Sequence, residues 1–268
     1  MTRNLGISIS SLALLALNIA YCSESHRPID DGKVTIGVYA DSGAAASCVT
    51  AARNMFEWMG HEVLLMDADL INNEDIQDID IFYFPGGSPF PYMRTITYEG
   101  REKMRRRIEA GGGYIGTCAG GIYAAEIQTW HGQQYSAGLL GVFPGTAAGP
   151  IPQIYQLPDI GMCQVNLNKS HQITQSDPDS PWIMFYNGPY FIPNETSTVD
   201  TIGTYEITGQ VALVACEYGK GRIFLTGPHP EWEEDDDRDG VSYFEKFDDM
   251  GSDWTLMQHA VRWCLHEE

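Results

Sequence analysis

The 268-residue chain predicts an α/β fold built as a three-layer, doubly wound and mainly parallel sheet. Short apolar runs of strand length alternate with helical stretches, several runs end in turns of small residues, and one ends on a cysteine bracketed by glycines. The first strand is Lys33-Val-Thr-Ile-Gly-Val-Tyr-Ala40, a continuous apolar run of the kind buried on both faces of a parallel sheet. Asp41 to Ala46 supply a small-residue turn, and a helix follows from about Ser47 to Met59, stopped by Gly60. Glu62 to Met66 form the second strand. Asp80 to Phe84 form the third and run straight into Pro85-Gly86-Gly87-Ser88. A helix over Tyr98 to Ala110 then leads through Gly111-Gly112-Gly113 to a fourth strand, which gives the strand-helix alternation of right-handed βαβ units.

The second half is less regular. Trp182 to Tyr186 read as a strand ending at Asn187-Gly188-Pro189-Tyr190. Val211 to Glu217 and Arg222 to Leu225 flank Tyr218-Gly219-Lys220-Gly221, a hairpin signal. From Ser252 to His266, Trp254, Met257, Val261 and Cys264 fall at helical spacing and predict a closing helix.

Residues 33–268 read as one domain behind a leader. Residues 1–25 carry one positive charge at Arg3 and an apolar, serine-containing stretch from Leu5 to Ala20, the pattern of a secretory signal peptide. That stretch is too short and too weakly flanked for a transmembrane domain, so the expectation is export to a periplasmic or extracellular location. Cys22 suggests a lipid anchor, but the bulky Tyr21 before it argues against one. With 16 Lys and Arg against 36 Asp and Glu, the net charge of −20 repels phosphate backbones, which excludes nucleic acid as a partner. The basic run Arg101, Lys103, Arg105, Arg106 and Arg107 reads as the solvated face of a helix. The six cysteines form no CxxC pair and no zinc-type spacing with histidine, and Cys216 and Cys264 read as small buried apolar residues.

The chemistry centres on Gly113-Tyr-Ile-Gly116-Thr-Cys118-Ala-Gly120-Gly121, which reads as a nucleophile elbow. A turn this tight strains its central residue and needs small neighbours at minus two and plus two, which Gly116 and Gly120 provide. Downstream, Gly227-Pro228-His229-Pro230-Glu231 supplies an imidazole and a carboxylate, so Cys118, His229 and Glu231 are the candidate catalytic triad. Gly86, Gly87 and Ala119 offer backbone N–H groups for an oxyanion hole. Asn187 and Gly188 are candidate substrate-binding residues, with a plain Asn-Gly turn as the other reading. Cys48, in the loop after the first strand, opens on the same sheet edge, which raises a blocking Cys48–Cys118 disulfide. Asp235, Asp237 and Asp239 with Gly240 have the spacing that opens a calcium loop, although Lys246 stands where the closing ligand belongs; a solvated acidic loop is the alternative. No other cofactor is expected.

These motifs resemble the class I glutamine amidotransferase superfamily: the Gly-x-Cys-x-Gly elbow at Gly116, Cys118 and Gly120, His-Pro-Glu at His229 to Glu231, and Pro-Gly-Gly at Pro85 to Gly87. Tyr114-Ile-Gly-Thr-Cys-Ala-Gly-Gly-Ile-Tyr123, Tyr186-Asn-Gly-Pro189 and Gly219-Lys-Gly-Arg222 carry a closer likeness, to the domain at the N-terminus of eukaryotic-type biotin-protein ligases, which also occurs alone in exported bacterial proteins. The resemblance spans about residues 33 to 265. It implies a flavodoxin-like sheet and cysteine-dependent amidase or acyl-transfer chemistry on a small-molecule or peptide amide. Nothing in the chain resembles the glycine-rich adenylate-binding loop of a biotin ligase, so biotinylation is not expected. No synthase domain is evident to receive ammonia, so the activity stands alone or uses an unknown protein partner. The competing reading is a non-catalytic module that keeps the crevice for a small ligand or protein partner.

Overall fold

The computed structural model describes residue 1 and residues 33–233, 237–242, 247 and 251–267. The predicted leader beyond residue 1, with Cys22, therefore lies outside the described residues. The fold belongs to one unit that begins at Lys33.

Its centre is a run of five parallel strands in the spatial order β2 (Glu62–Met66), β1 (Thr35–Tyr39), β3 (Ile81–Phe84), β4 (Gly113–Thr117) and β13 (Gly221–Thr226). Beyond β13 the sheet continues through β12 (Val211–Tyr218), β10 (Tyr190–Pro193), β7 (Phe143–Gly149), β5 (Ala125–Trp130) and β6 (Gln133–Tyr135). In this extension most pairs are antiparallel, with β5 and β7 parallel. A branch of β11 (Val199–Tyr205), β8 (Gly161–Leu167) and β9 (Trp182–Phe185) leaves from β12.

Alternation along the central strands builds two cores, one on each face of the sheet. On β3, Ile81 and Tyr83 join α1 (Ala46–Trp58) and α6 (Trp254–Cys264) in one core. Phe82 and Phe84 face α3 (Pro89–Thr95), α4 (Tyr98–Glu109) and the short α5 (Ala119–Ala124) in the other. Phe84 is a hub of the second core: it stacks on Tyr39 at 4.9 Å and on Tyr114 at 5.7 Å between ring centroids, and it meets Tyr92 edge-on. Each such ring contributes about 1.5–3 kcal/mol by burial, and the ring pairs add roughly 0.5–1.5 kcal/mol. That packing anchors the end of β3, where Pro85-Gly86-Gly87 departs toward the site.

Local signals set the element ends. Gly60 ends α1 with φ +87°, and the Thr97 hydroxyl caps α4 by accepting from the Gly100 N–H at 3.1 Å. The β12–β13 hairpin closes through Gly219-Lys220, with positive φ at Gly219. The basic run on α4 differs from expectation. Arg106 is exposed, but Arg101, Arg105 and Arg107 are half-buried and donate to the carbonyls of Ile96, Leu140 and Gln77. These arginines tie α4 to neighbouring loops, because unpaired loop carbonyls lie within reach of their long stems. Cys163, Cys216 and Cys264 are buried. Among the described residues, no helix is long and apolar enough to cross a membrane.

Candidate active site

The site forms where β3, β4 and β13 end on the same edge of the sheet. Cys118 sits between β4 and α5 with φ 50° and ψ −106°, a conformation that costs an L-residue about 1–3 kcal/mol. Its N–H donates to the Thr226 carbonyl at 2.8 Å, and the Gly120 N–H donates to the Pro85 carbonyl at 3.1 Å. The flanking glycines are demanded by contact. A Cβ on Gly116 would sit 2.7 Å from the Gly120 backbone, and one on Gly120 would overlap the Phe84 carbonyl oxygen. The Tyr114 hydroxyl donates to the Gly120 carbonyl at 2.8 Å and fixes the turn from the core side.

His229 follows β13. Its N–H donates to the Met184 carbonyl at 2.8 Å, and its ring lies flat on the Trp232 indole, 4.2 Å between centroids and 9° from parallel. Nδ1 is 2.9 Å from Glu231 Oε1, and both residues are buried. Nε2, the ring nitrogen that Glu231 does not hold, is buried as well. Burial opposes the charged imidazole, but the Glu231 carboxylate and then Cys118 outweigh it, so the His229 pKa is raised well above 6.5. The Cys118 Sγ lies 3.9 Å from the Tyr186 carbonyl oxygen.

Cys48, on the first turn of α1, reaches the same histidine: its Sγ is 3.8 Å from His229 Nδ1. Burial pushes the Cys48 thiol up to about 12 despite the imidazole beside it. Cys48 and Cys118 are both free thiols, so the structure holds no disulfide between them. Gly86 makes room for this arrangement, since a Cβ there would overlap His229 Cε1 and come within 3.0 Å of the Cys48 sulfur. Gly87, at φ +141°, is bridged to Ala44 through Ala45 N–H to Gly86 O and Ser88 N–H to Gly43 O, a pattern that does not use its own N–H. The Ala119 N–H starts α5 and has no intrahelical partner. Gly87 and Ala119 are thus the N–H groups that these backbone patterns leave unused.

These residues open on a cleft of about 380 Å³ whose walls include Phe90, Trp130, Leu157, Tyr186, Asn187 and Trp232. Asn187 has φ 54°, so it combines its turn role with a place on the cleft. Gly188 is packed against Gly227 instead, where a Cβ would overlap the Gly227 carbonyl oxygen. In the acidic segment, Asp235 lies outside the described residues and Asp237 begins a 3-10 turn, Asp237–Asp239. Asp239 is buried and accepts from the backbone N–H groups of Val241 at 2.7 Å and Glu233 at 3.1 Å; desolvation raises its carboxyl to about 6. Among the described residues, the side chains whose donor atoms cluster as metal ligands would are Cys48, His229 and Glu231. Sequence reasoning does not single out Phe90, Trp130 and Leu157 of the cleft walls, nor Trp232, the platform under the imidazole, nor Gln128 of β5.

A family model described as biotin-protein ligase, N terminal, matches residues 34–265. The chain belongs to this family. It is 28% identical over 162 residues to the biotin–protein ligase of Schizosaccharomyces pombe, an alignment covering 57% of the chain and 25% of the ligase. The chain thus spans about a quarter of that relative's length. It is 24% identical over 213 residues to an uncharacterized protein of Chlamydia muridarum, covering 73% of the chain and 79% of the relative. Among solved structures, a chain of PurLQS from Thermotoga maritima superposes with a TM-score of 0.61 at 15% identity, covering 86% of this chain and 99% of that one. A protein from Thermoplasma acidophilum described as part of a GMP synthase superposes with a TM-score of 0.52 at 15% identity, covering 88% of this chain and 98% of that one. The fold is that of the class I glutamine amidotransferase-like proteins, a large α/β sheet of flavodoxin type.

The elbow's strain is measurable. Cys118→Gly is expected to be more stable than Cys118→Ala by about 1 kcal/mol in urea unfolding, since only glycine relaxes at this φ and ψ. Equal stabilities would show that the turn stores no strain. The His229–Glu231 pair makes a second expectation. Because the folded histidine's pKa is raised, its stabilisation is complete below the unfolded value of about 6.5 and is lost as pH rises through the folded value. The gap in Tm between wild type and Glu231→Gln should therefore be wider at about pH 6 than at about pH 9; a gap that widens with pH would contradict the assignment.

Proposed function

We propose that this domain is a cysteine-dependent amidase or acyl-transfer enzyme acting on a small-molecule or peptide amide. The observation that carries the reading is the strained Cys118 facing a buried His229–Glu231 pair at the base of one cleft. In this mechanism the thiol proton is held on His229 Nε2 and the Cys118 thiolate attacks the carbonyl carbon of the amide. The oxyanion that forms accepts hydrogen bonds from the Gly87 and Ala119 N–H groups, while Gly86 keeps space for the imidazole. The tetrahedral adduct collapses to a Cys118 thioester as the C–N bond breaks, and His229 hands its proton to the departing nitrogen. Water, or an acceptor amine, then attacks the thioester with His229 as base and frees the thiol. Glu231 holds the imidazole by Nδ1 throughout.

Transfer of biotin is not part of this proposal, because the chain matches only about a quarter of the ligase. A separate protein that accepts the released nitrogen, and export behind a leader over residues 1–25, are included in it. Calcium at Asp235, Asp237 and Asp239 remains a lesser proposal, for which the spacing of the carboxylates is the support. The 6% exposure of Cys118 favours the second reading, a binding module whose thiol is never used.

A generic activated ester separates the two. With p-nitrophenyl acetate, the enzyme reading expects a burst of p-nitrophenolate and an acetyl adduct on the Cys118 peptide, cleaved by hydroxylamine and absent from Cys118→Ala. Intact protein without an adduct would leave the binding module.

A further inference from the structure

Gln128 and Trp130 lie two residues apart on β5, on the face that lines the cleft shared by Cys118 and His229. Gln128 is only 1% exposed, yet its Oε1 is buried with no hydrogen-bond partner. A buried acceptor in that state destabilises the empty protein, and at the wall of a cleft a donor group on a ligand can complete it. Its amide head presents one acceptor and one donor end, interchangeable by a half-turn of the terminal group.

The surroundings restrict what that ligand is. No Lys, Arg, Asp or Glu is among the described residues lining the cleft, and Phe90, Trp130, Leu157 and Tyr186 give it apolar walls. His229 also lines it, but its charge is already balanced by Glu231. A carboxylate or ammonium group entering here would lose hydration without gaining a free counter-charge. A neutral amide loses far less, and its paired donor and acceptor match those of a glutamine head.

We infer that the cleft takes an uncharged carboxamide carried on an apolar or aromatic group, and that Gln128 binds it by amide-to-amide hydrogen bonding. The inference rests on the reading of the cleft as an amide-acyl site and narrows its substrate class. Free glutamine, with two charges on its α-carbon, is disfavoured.

The test uses Cys118→Ala protein, so that binding is read without turnover, and three probes: phenylacetamide, phenylacetate and L-glutamine. Calorimetry should give phenylacetamide an affinity about 10-fold or more above the other two, and adding Gln128→Leu should remove about 10-fold of it. The ligand-free Gln128→Leu protein should melt at a higher temperature, because the orphaned acceptor is gone, while the shift produced by phenylacetamide disappears; a purely structural glutamine would lower the melting temperature instead. Gln128→Met reads the same quantities if the leucine variant fails to fold. Equal binding of phenylacetamide with and without Gln128, preference for either charged probe, or no binding of any probe would overturn the inference. Phenylacetamide binding without any ester adduct at Cys118 would sink the enzyme reading alone, whereas an adduct without amide preference would sink this inference alone.

Discussion

The backbone contact between Gly120 and the end of β3 is the constraint on which the rest of the site depends. Gly120 lies so close to the Phe84 carbonyl that no side chain fits between them, and its N–H bonds the next carbonyl, that of Pro85. This contact draws α5 onto β3, bends the chain sharply at Cys118, and leaves the sulfur at the strand ends instead of within the sheet. The aromatic cluster around Phe84 holds the other side of the contact rigid. Backbone strain at one residue is thus offset by packing spread over a core.

A second buried device stands opposite the first. His229 and Glu231 carry charge inside a protein whose net charge is −20, and the pair persists because each neutralises the other where water is absent. Trp232 fixes the plane of the ring, and the Met184 carbonyl fixes its backbone. Cys48 contacts Nδ1, the nitrogen that Glu231 already holds. Two thiols near one imidazole therefore have different standing: Cys48 packs beside Nδ1, and in the proposed mechanism the Cys118 proton resides on Nε2.

Much of this was legible in the sequence for a physical reason. Strands β1, β3 and β4 are buried on both faces and read as unbroken apolar runs, and the elbow glycines answer to a steric demand that leaves no alternative residue. The antiparallel half was harder to read. Gln133-Gln134-Tyr135 forms an edge strand with little apolar surface, and α5, at six residues, is too short to show a helical period. The arginines of α4 look like a solvated face by composition, and only the folded chain shows the carbonyls they reach. Cys48 and His229 are 181 residues apart, so their contact is a product of topology. Gln128 reads in sequence as an ordinary polar strand residue; what distinguishes it is burial without a partner, which exists only once the cleft has formed.

The central claim is that His229 activates Cys118. Its most direct measurement is the rate of iodoacetamide alkylation at each cysteine near pH 7, read by peptide mass spectrometry in wild type and His229→Ala. The account expects selective labelling of Cys118, with Cys48 protected by burial, and a loss of about 10-fold or more when the imidazole is removed. A Cys118 that is unreactive in fully reduced protein, or equally reactive without His229, would contradict it.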